Sequence, residues 1–262
     1  MSGHEEVDID GGIRSGSSEL ACDPHLAKVK QTYQTTAMNY DAWNKDYEEK
    51  VHGHIRAAFI PNLRGNVLEV GVGTGSNLPY YTRGETVVTG VDLSDKMLAR
   101  AKHKVPPGLS VRLMEGDATN LAFTEGNEFD SFVAYCVFCV LPKHLLPQAI
   151  EEMTRALKPG GKFSIVDIVQ SQEHTERQTE VNETAQTKER YCLDVTNDSA
   201  AIIQLHPSLQ IKRKIFVHRD TFLLIEGIKV ANDTDVPADD VTAESAASTG
   251  QATVVETDSA NE

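Results

Sequence analysis

Between residues 66 and 169 the chain switches repeatedly between short apolar runs and helical stretches, and few architectures accommodate that order. "NVLEV" (66–70) reads as a strand, and 71–77 as a turn into a helix. "ETVVTGVDL" (85–93) is a second strand. A helix follows over 94–105, with Ser94 at its N-cap, where a hydroxyl meets the unpaired amides of the first turn. "LSVRLMEGDA" (109–118) and "FDSFVAYCVFCV" (129–140) are a third and a fourth strand. The fourth is apolar almost throughout, as a strand covered on both faces should be. A helix over 143–157 ends at "KPGG", and "KFSIVDIV" (162–169) is a fifth strand. Strands alternating with helices predict a parallel sheet with helices on both faces.

The flanking segments differ. Residues 25–60 carry large apolar residues at loose three-to-four spacing and read as helical up to Pro61. Residues 171–191 are very polar, a long loop or an exposed helix, and 197–206 looks like a short capped helix. Two apolar runs, 209–217 and 221–230, flank "HRD" (218–220) and predict a β-hairpin at the end of the sheet. The expected fold is therefore α/β, a doubly wound, mostly parallel seven-stranded sheet with a C-terminal antiparallel hairpin.

Charge excludes one class of partner. The net charge is −14 over 262 residues, but it sits at the ends. Residues 1–24 hold six acids and one base, and 231–262 hold eight acids and no base, so the middle is nearly neutral. Both ends are poor in large apolar residues and are expected to be disordered. Without a basic stripe, nucleic acid is not an expected partner. No apolar stretch follows basic residues at the start, and the longest apolar run is too short to cross a bilayer, so a soluble cytoplasmic protein without a transmembrane segment is expected, leaving peripheral membrane contact open. Four cysteines in a chain this long do not make a disulfide framework. Cys136 and Cys139, if both on the fourth strand, point to opposite faces, and buried apolar roles are expected rather than a metal site.

In an open α/β sheet, ligands sit at the carboxyl ends of the strands, so the loop after the first strand is the first candidate site. The dinucleotide fingerprint needs glycines at relative positions 1, 3 and 6. Counting from Gly71 puts Ser76 at position 6, and counting from Gly73 puts Leu78 there, so neither fits. The pattern is instead Glu69-x-Gly71-x-Gly73-x-Gly75. A carboxylate there repels pyrophosphate and favours a cationic or amine-bearing ligand, while the glycines let backbone approach it closely. Asp92, at the end of the second strand, can accept from ribose hydroxyls, and the acid in "EGDAT" (115–119) can meet an adenine amine. An amine, a ribose and an adenine without phosphate describe S-adenosyl-L-methionine.

On these residues the sequence resembles the class I S-adenosylmethionine-dependent methyltransferases, and within them the group containing phospholipid N-methyltransferases and ubiquinone/menaquinone C-methyltransferases. "VLEVGVGTGSNLPYY", "VTGVDLSDKMLARA", "EGDATNLAF", "FDSFVAYCVFCVLP" and "ALKPGGKF" carry the resemblance in order, over about residues 28–230. It implies that Glu69, Gly71, Gly73 and Gly75 hold the methionine portion. Asp92 would take the ribose, Leu93 and Met97 would pack near the adenine, and Asp117 and Ala118 would meet the adenine edge. Tyr135 and Cys136 would line the space between cofactor and substrate. The aromatic-rich "YQTTAMNYDAW" (33–43) resembles the segment that lies over the cofactor in that family. The expected organisation is a 25–230 domain between acidic tails 1–24 and 231–262. Within it lie a helical lid (25–60), a cofactor-binding core (62–170), a substrate cover (171–208) and the hairpin (209–230).

The implied activity is transfer of a methyl group to a small-molecule or lipid-like acceptor. An amine headgroup ranks first, with a quinone-type carbon acid or a small thiol as alternatives. A catalytically silent cofactor-binding regulator is the alternative from another class. Tyr40, paired with Asp41 as a cofactor lid, and Tyr135 are the candidate catalytic residues, with Tyr33, His52 and His54 as further candidates for a base. One departure concerns the fifth strand. Many relatives end it with an acid and a histidine, whereas here Asp167 is followed by Ile168.

Overall fold

A computed structural model describes residues 23–169, 189–218 and 221–231. The expected tails fall almost entirely outside these residues, as do most of the polar stretch 171–191 and the hairpin tip 219–220. Seven strands form one sheet in the order β3-β2-β1-β4-β5-β7-β6. They are β1 (Gly65–Val70), β2 (Thr86–Asp92), β3 (Ser110–Glu115), β4 (Phe129–Tyr135), β5 (Leu157–Ile168), β6 (Leu209–Val217) and β7 (Phe222–Lys229). The first five are parallel, and β7 lies antiparallel between β5 and β6. The order reverses between β1 and β4, which opens a crevice at their carboxyl ends.

Among the described residues the sheet is flanked by α1 (Pro24–Tyr47), α2 (Gly53–Phe59), α3 (Asp95–Ala101), α4 (Leu146–Ala156) and α5 (Ser199–Leu205). Asp23 caps α1, accepting from the amides of His25 and Leu26 at 2.9 Å, with Pro24 in the first turn, where its missing N–H costs nothing. Ser94 caps α3 as expected, accepting from Met97 N at 3.2 Å. Strand alternation divides the core. Leu68 and Val70 pack with Phe132, Phe163 and the α4 residues Ile150 and Met153. Val67 turns the other way, toward Phe59, Leu98 and Val133. Each fully buried large side chain is worth roughly 1.5–3 kcal/mol, so this two-faced pattern fixes the register of β1.

Several boundaries differ from expectation, each for a local reason. The glycine loop leads only to a single 3-10 turn, Leu78–Tyr80, rather than a helix. Pro79 lacks a donor and Tyr81 turns extended to reach the core. The third strand stops at Glu115, not at 118. The fourth stops at Tyr135, because Cys136 takes a left-handed φ of 56°, and Phe138–Val140 form a 3-10 turn. The opposite-face argument for Cys136 and Cys139 therefore fails: both pack in one small cluster with Val29, Val140 and Cys192, as free thiols. The fifth strand begins at Leu157 and runs through "KPGG", with a register shift against β4 between Phe129 and Ser131. Helix α4 begins at Leu146, preceded by a 3-10 turn. Lys212, Arg213 and Lys214 are exposed on the edge strand β6, where charge discourages pairing with another sheet. Among the described residues no helix is long and apolar enough to cross a membrane.

Candidate active site

Two adjoining cavities open at the carboxyl ends of β1, β2 and β4. The larger, about 410 Å³, is lined by Glu69, Gly71, Gly73, Tyr135 and Cys136 together with residues of α1 and α2. The smaller, about 90 Å³, is lined by Asp92, Leu93, Met97, Gly116, Ala118, Val137 and Leu141. Tyr33, Tyr40, Gly71, Gly73, Tyr135 and Cys136 line both and form the passage between them.

Glu69 shares the side of β1 on which Val67 lies, so its carboxyl points into buried space beneath α2. Asn77 Nδ2 donates to one oxygen at 2.8 Å and Tyr81 Oη to the other at 2.7 Å. Burial pushes its pKa up to about 7, against the pull of those two donors. Asp92 accepts from Gly73 N and Ser94 N, both at 2.9 Å, and so ties the glycine loop to the end of β2. Burial raises its pKa to about 6 in spite of these two amides. Gly73 has φ 56°, and a Cβ there would have no neighbour nearer than Gly71 O at 3.8 Å, so a side chain would stand in the cavity itself.

A raised acid pKa has a consequence for the unliganded fold. The neutral carboxyl is the favoured form inside, so Glu69 costs nothing below its unfolded value of 4.5 and progressively more up to about 7. Between pH 5 and 8 the wild-type chain should lose on the order of 2 kcal/mol more stability than Glu69→Gln. Urea unfolding of both at the two pH values checks this, and parallel losses would contradict it.

The two remaining glycine-loop and third-strand expectations sit elsewhere. Gly75, at φ 79°, lines neither cavity, and its absent side chain makes room for Leu78 and Ala101. Asp117 also lines neither, because its carboxylate turns back to accept from Thr119 N and Oγ1 at 2.8 Å. Asp167 is buried and accepts from Cys139 N and Ser199 Oγ, while Ile168 presents an apolar wall to the larger cavity.

Helix α1 roofs the passage. The rings of Tyr33, Tyr40 and Tyr191 follow one another at 6.1 Å spacings. Asp41, next to Tyr40, accepts from Thr74 Oγ1 at 2.6 Å and Lys104 Nζ at 2.8 Å, which ties α1 to the glycine loop. Tyr40 and Tyr135 are both held as phenols by burial, which raises each pKa, so neither is a proton acceptor at neutral pH. Tyr135 Oη is 2.7 Å from His52 Nδ1. Burial, then the charges of Arg56 and His218, lower the His52 pKa to about 3 and keep the imidazole neutral. His54, unlike His52, lines neither cavity.

Sequence reasoning missed Arg56. It is buried, donates to Asn77 Oδ1 at 2.6 Å and to Glu48, and lies 4.4 Å from the Tyr135 ring centroid. A signal existed: Arg56 follows His52 by four residues, which places both on one helical face. Phe222 and Tyr47 also line the larger cavity, and no local pattern links β7 to a helix so far back in the chain. Among the described residues no group of three or more His, Cys, Asp or Glu is placed to hold a metal ion.

Residues 67–161 match the methyltransferase domain family. A phosphatidylethanolamine N-methyltransferase from Cereibacter sphaeroides is 41% identical over 114 residues, which cover 42% of this chain and 54% of that protein. A demethylmenaquinone methyltransferase from Tropheryma whipplei is 30% identical over 149 residues, covering 55% of this chain and 60% of that protein. The chain thus spans little more than half the length of these relatives. A SAM-dependent methyltransferase from Thermotoga maritima has the same fold, with a TM-score of 0.56 at 20% identity over 77% of this chain and 99% of that one. An O-methyltransferase family protein from Burkholderia thailandensis gives 0.60 at 12% identity, over 75% and 60%.

Proposed function

We propose that this chain, which carries a class I S-adenosylmethionine-dependent methyltransferase domain, binds S-adenosyl-L-methionine across its two cavities and passes the methyl group to a small-molecule or lipid-like acceptor, most readily an amine. The observation that carries the reading is the pair of acids, buried Glu69 and half-buried Asp92, on either side of a glycine whose side-chain position opens into the larger cavity. In this reading the smaller cavity takes the adenine between Leu93, Met97 and Ala118, and Asp92 takes the ribose. A cationic ligand group beside Glu69 draws the carboxyl back to its charged form, offsetting the cost of its burial.

When bound, the cofactor would supply an activated, sulfonium-linked methyl group. The chain's own task is to align the acceptor and exclude water. Tyr33, Tyr40 and Tyr191 cover the passage for that purpose. An amine is favoured over a carbon acid because His52, at about 3, is too weak a base to remove a C–H proton, and the phenols Tyr40 and Tyr135 are held protonated. The phosphatidylethanolamine N-methyltransferase relative supports the same ranking.

Incubation with methyl-labelled cofactor and a cell extract tests the reading. The label is expected in the lipid fraction or on a small-molecule amine. Tight cofactor binding with no label in lipid, aqueous or protein fractions would replace the enzyme with a silent binding protein.

A further inference from the structure

Strand β4 ends one residue before Cys136, and that break brings together two thiols that a continuing strand would hold apart. Cys136 takes φ 56°, Val137 returns to a helical conformation, and the 3-10 turn Phe138–Val140 follows. Two helical residues between Cys136 and Cys139 put their Cα atoms within about 7 Å, beside the roughly 4.4–6.8 Å that a disulfide spans. Both amides are anchored to consecutive residues of β5. Cys136 N donates to Val166 O at 2.6 Å, and Cys139 N donates to Asp167 Oδ1 at 3.3 Å. The side chains meet as well, with the two thiols in hydrogen-bond contact. The third thiol of the cluster, Cys192, turns away to donate to Thr32 Oγ1 at 3.4 Å.

The pair is unequal. Cys136 is half-buried and lines both cavities, at the passage between them. Cys139 is fully buried, lines neither cavity, and donates its S–H to the Asp167 carboxylate. Its contact with Cys136, then burial, push the Cys139 thiol well above its usual range, so it stays protonated in the reduced chain. A reagent entering the passage therefore reaches Cys136 and not Cys139. Cys139 reaches Cys136 from behind, with a carboxylate beside it to take its proton. Thiol–disulfide exchange needs this division between an accessible attacking thiol and a resolving one.

We propose that Cys136 and Cys139 are a redox dithiol opening on the cavity passage, that a low-molecular-weight disulfide oxidises them to an intramolecular disulfide, and that a ligand in the passage shields them. Cys136 sulfur attacks one sulfur of the oxidant, forming a mixed disulfide and releasing one thiol. Cys139 sulfur, losing its proton to Asp167, then attacks the Cys136 sulfur and releases the second thiol. Two protein thiols become one disulfide while the oxidant is reduced to two thiols, and both protons end on the released thiols. The shielding rests on the cofactor reading above, whereas the dithiol does not.

The experiment incubates the full chain with glutathione disulfide, quenches it with acid and measures the mass of the tryptic peptide 113–143, which carries both cysteines. That peptide should lose two hydrogens. Cys139→Ser should stop at the mixed disulfide, with glutathione retained on Cys136. S-adenosylhomocysteine at ten times its Kd should slow the wild-type reaction about tenfold, in proportion to the unliganded fraction. By the same coupling, glutathione-bearing Cys139→Ser should bind S-adenosylhomocysteine at least about tenfold more weakly than the same variant reduced with dithiothreitol. The wild-type peptide and its shielding need no variant, so the test stands even where Cys139→Ser does not fold. Thiols that stay intact, a bond from Cys136 to Cys192, or oxidation equally fast with bound S-adenosylhomocysteine would each overturn the site. A wild-type chain that forms the disulfide but does not bind S-adenosylhomocysteine would instead remove the cofactor reading and leave the dithiol.

Discussion

Asp92→Ala should lose S-adenosylmethionine binding by at least about a hundredfold, because the two charge-assisted bonds to ribose hydroxyls in the proposed binding mode are worth roughly 1.5–3 kcal/mol each. The variant also frees the loop on which the proposed ligand would lie. Asp92 holds Gly73 N and Ser94 N, so its removal untethers the glycine loop from β2. The fold should survive. Ser94 keeps its own cap on α3 through Met97 N, and β2 remains paired on both sides with β1 and β3. Gly73→Val is the complementary change. It leaves Asp92 in place but puts a branched side chain at φ 56°, in the space the ligand needs. Calorimetric titration beside a thermal melt reads both effects. Wild-type-like titrations of the two variants would sink the site assignment.

How much of this was legible depended on sequence distance. Glu69, Gly71, Gly73 and Asp92 were readable because a strand and the turn after it are local, and strand ends in an α/β sheet converge on one edge. Leu93, Met97 and Ala118, which the family resemblance implied, line the smaller cavity. Gly75 and Asp117 show its limit. A glycine in a ligand loop also serves close packing, as Gly75 does against Ala101, and an acid at a strand end also closes a turn, as Asp117 does with Thr119. The break after Tyr135 was hidden by composition. "CVFCV" looks like a continuing buried strand, and nothing in it announces that Cys136 takes a left-handed conformation that L-residues seldom adopt. The ring-walled end of the larger cavity was the least legible. Its rings come from α1, the turn before α2, β4 and β7, and only the folded sheet brings them together.

Arg56→Ala should cost about 3 kcal/mol of stability, at the lower end of the range for a broken buried pair, since Glu48 keeps some contact with water. The guanidinium is not an isolated charge. It is joined through Asn77 to Glu69, with Asn77 Oδ1 accepting from Arg56 while Nδ2 donates to the Glu69 carboxylate. Removing it strands Asn77 Oδ1 and Glu48 together. A double-mutant cycle with Glu48→Gln should recover a coupling of roughly 1–2 kcal/mol, because the second change removes the charge left unpaired by the first. The same link gives a functional reading. Arg56 is among the groups that lower the pKa of Glu69, so its loss moves that carboxyl further above about 7. A charged Glu69 is what favours a cationic ligand, and cofactor affinity rises as pH climbs through its pKa. In Arg56→Ala that rise should therefore occur at higher pH than in the wild type. Urea unfolding measures the first effect, and calorimetric titration of S-adenosylmethionine from pH 6 to 9 measures the second. A midpoint that stays in place while stability falls would confine Arg56 to holding α2 on the sheet.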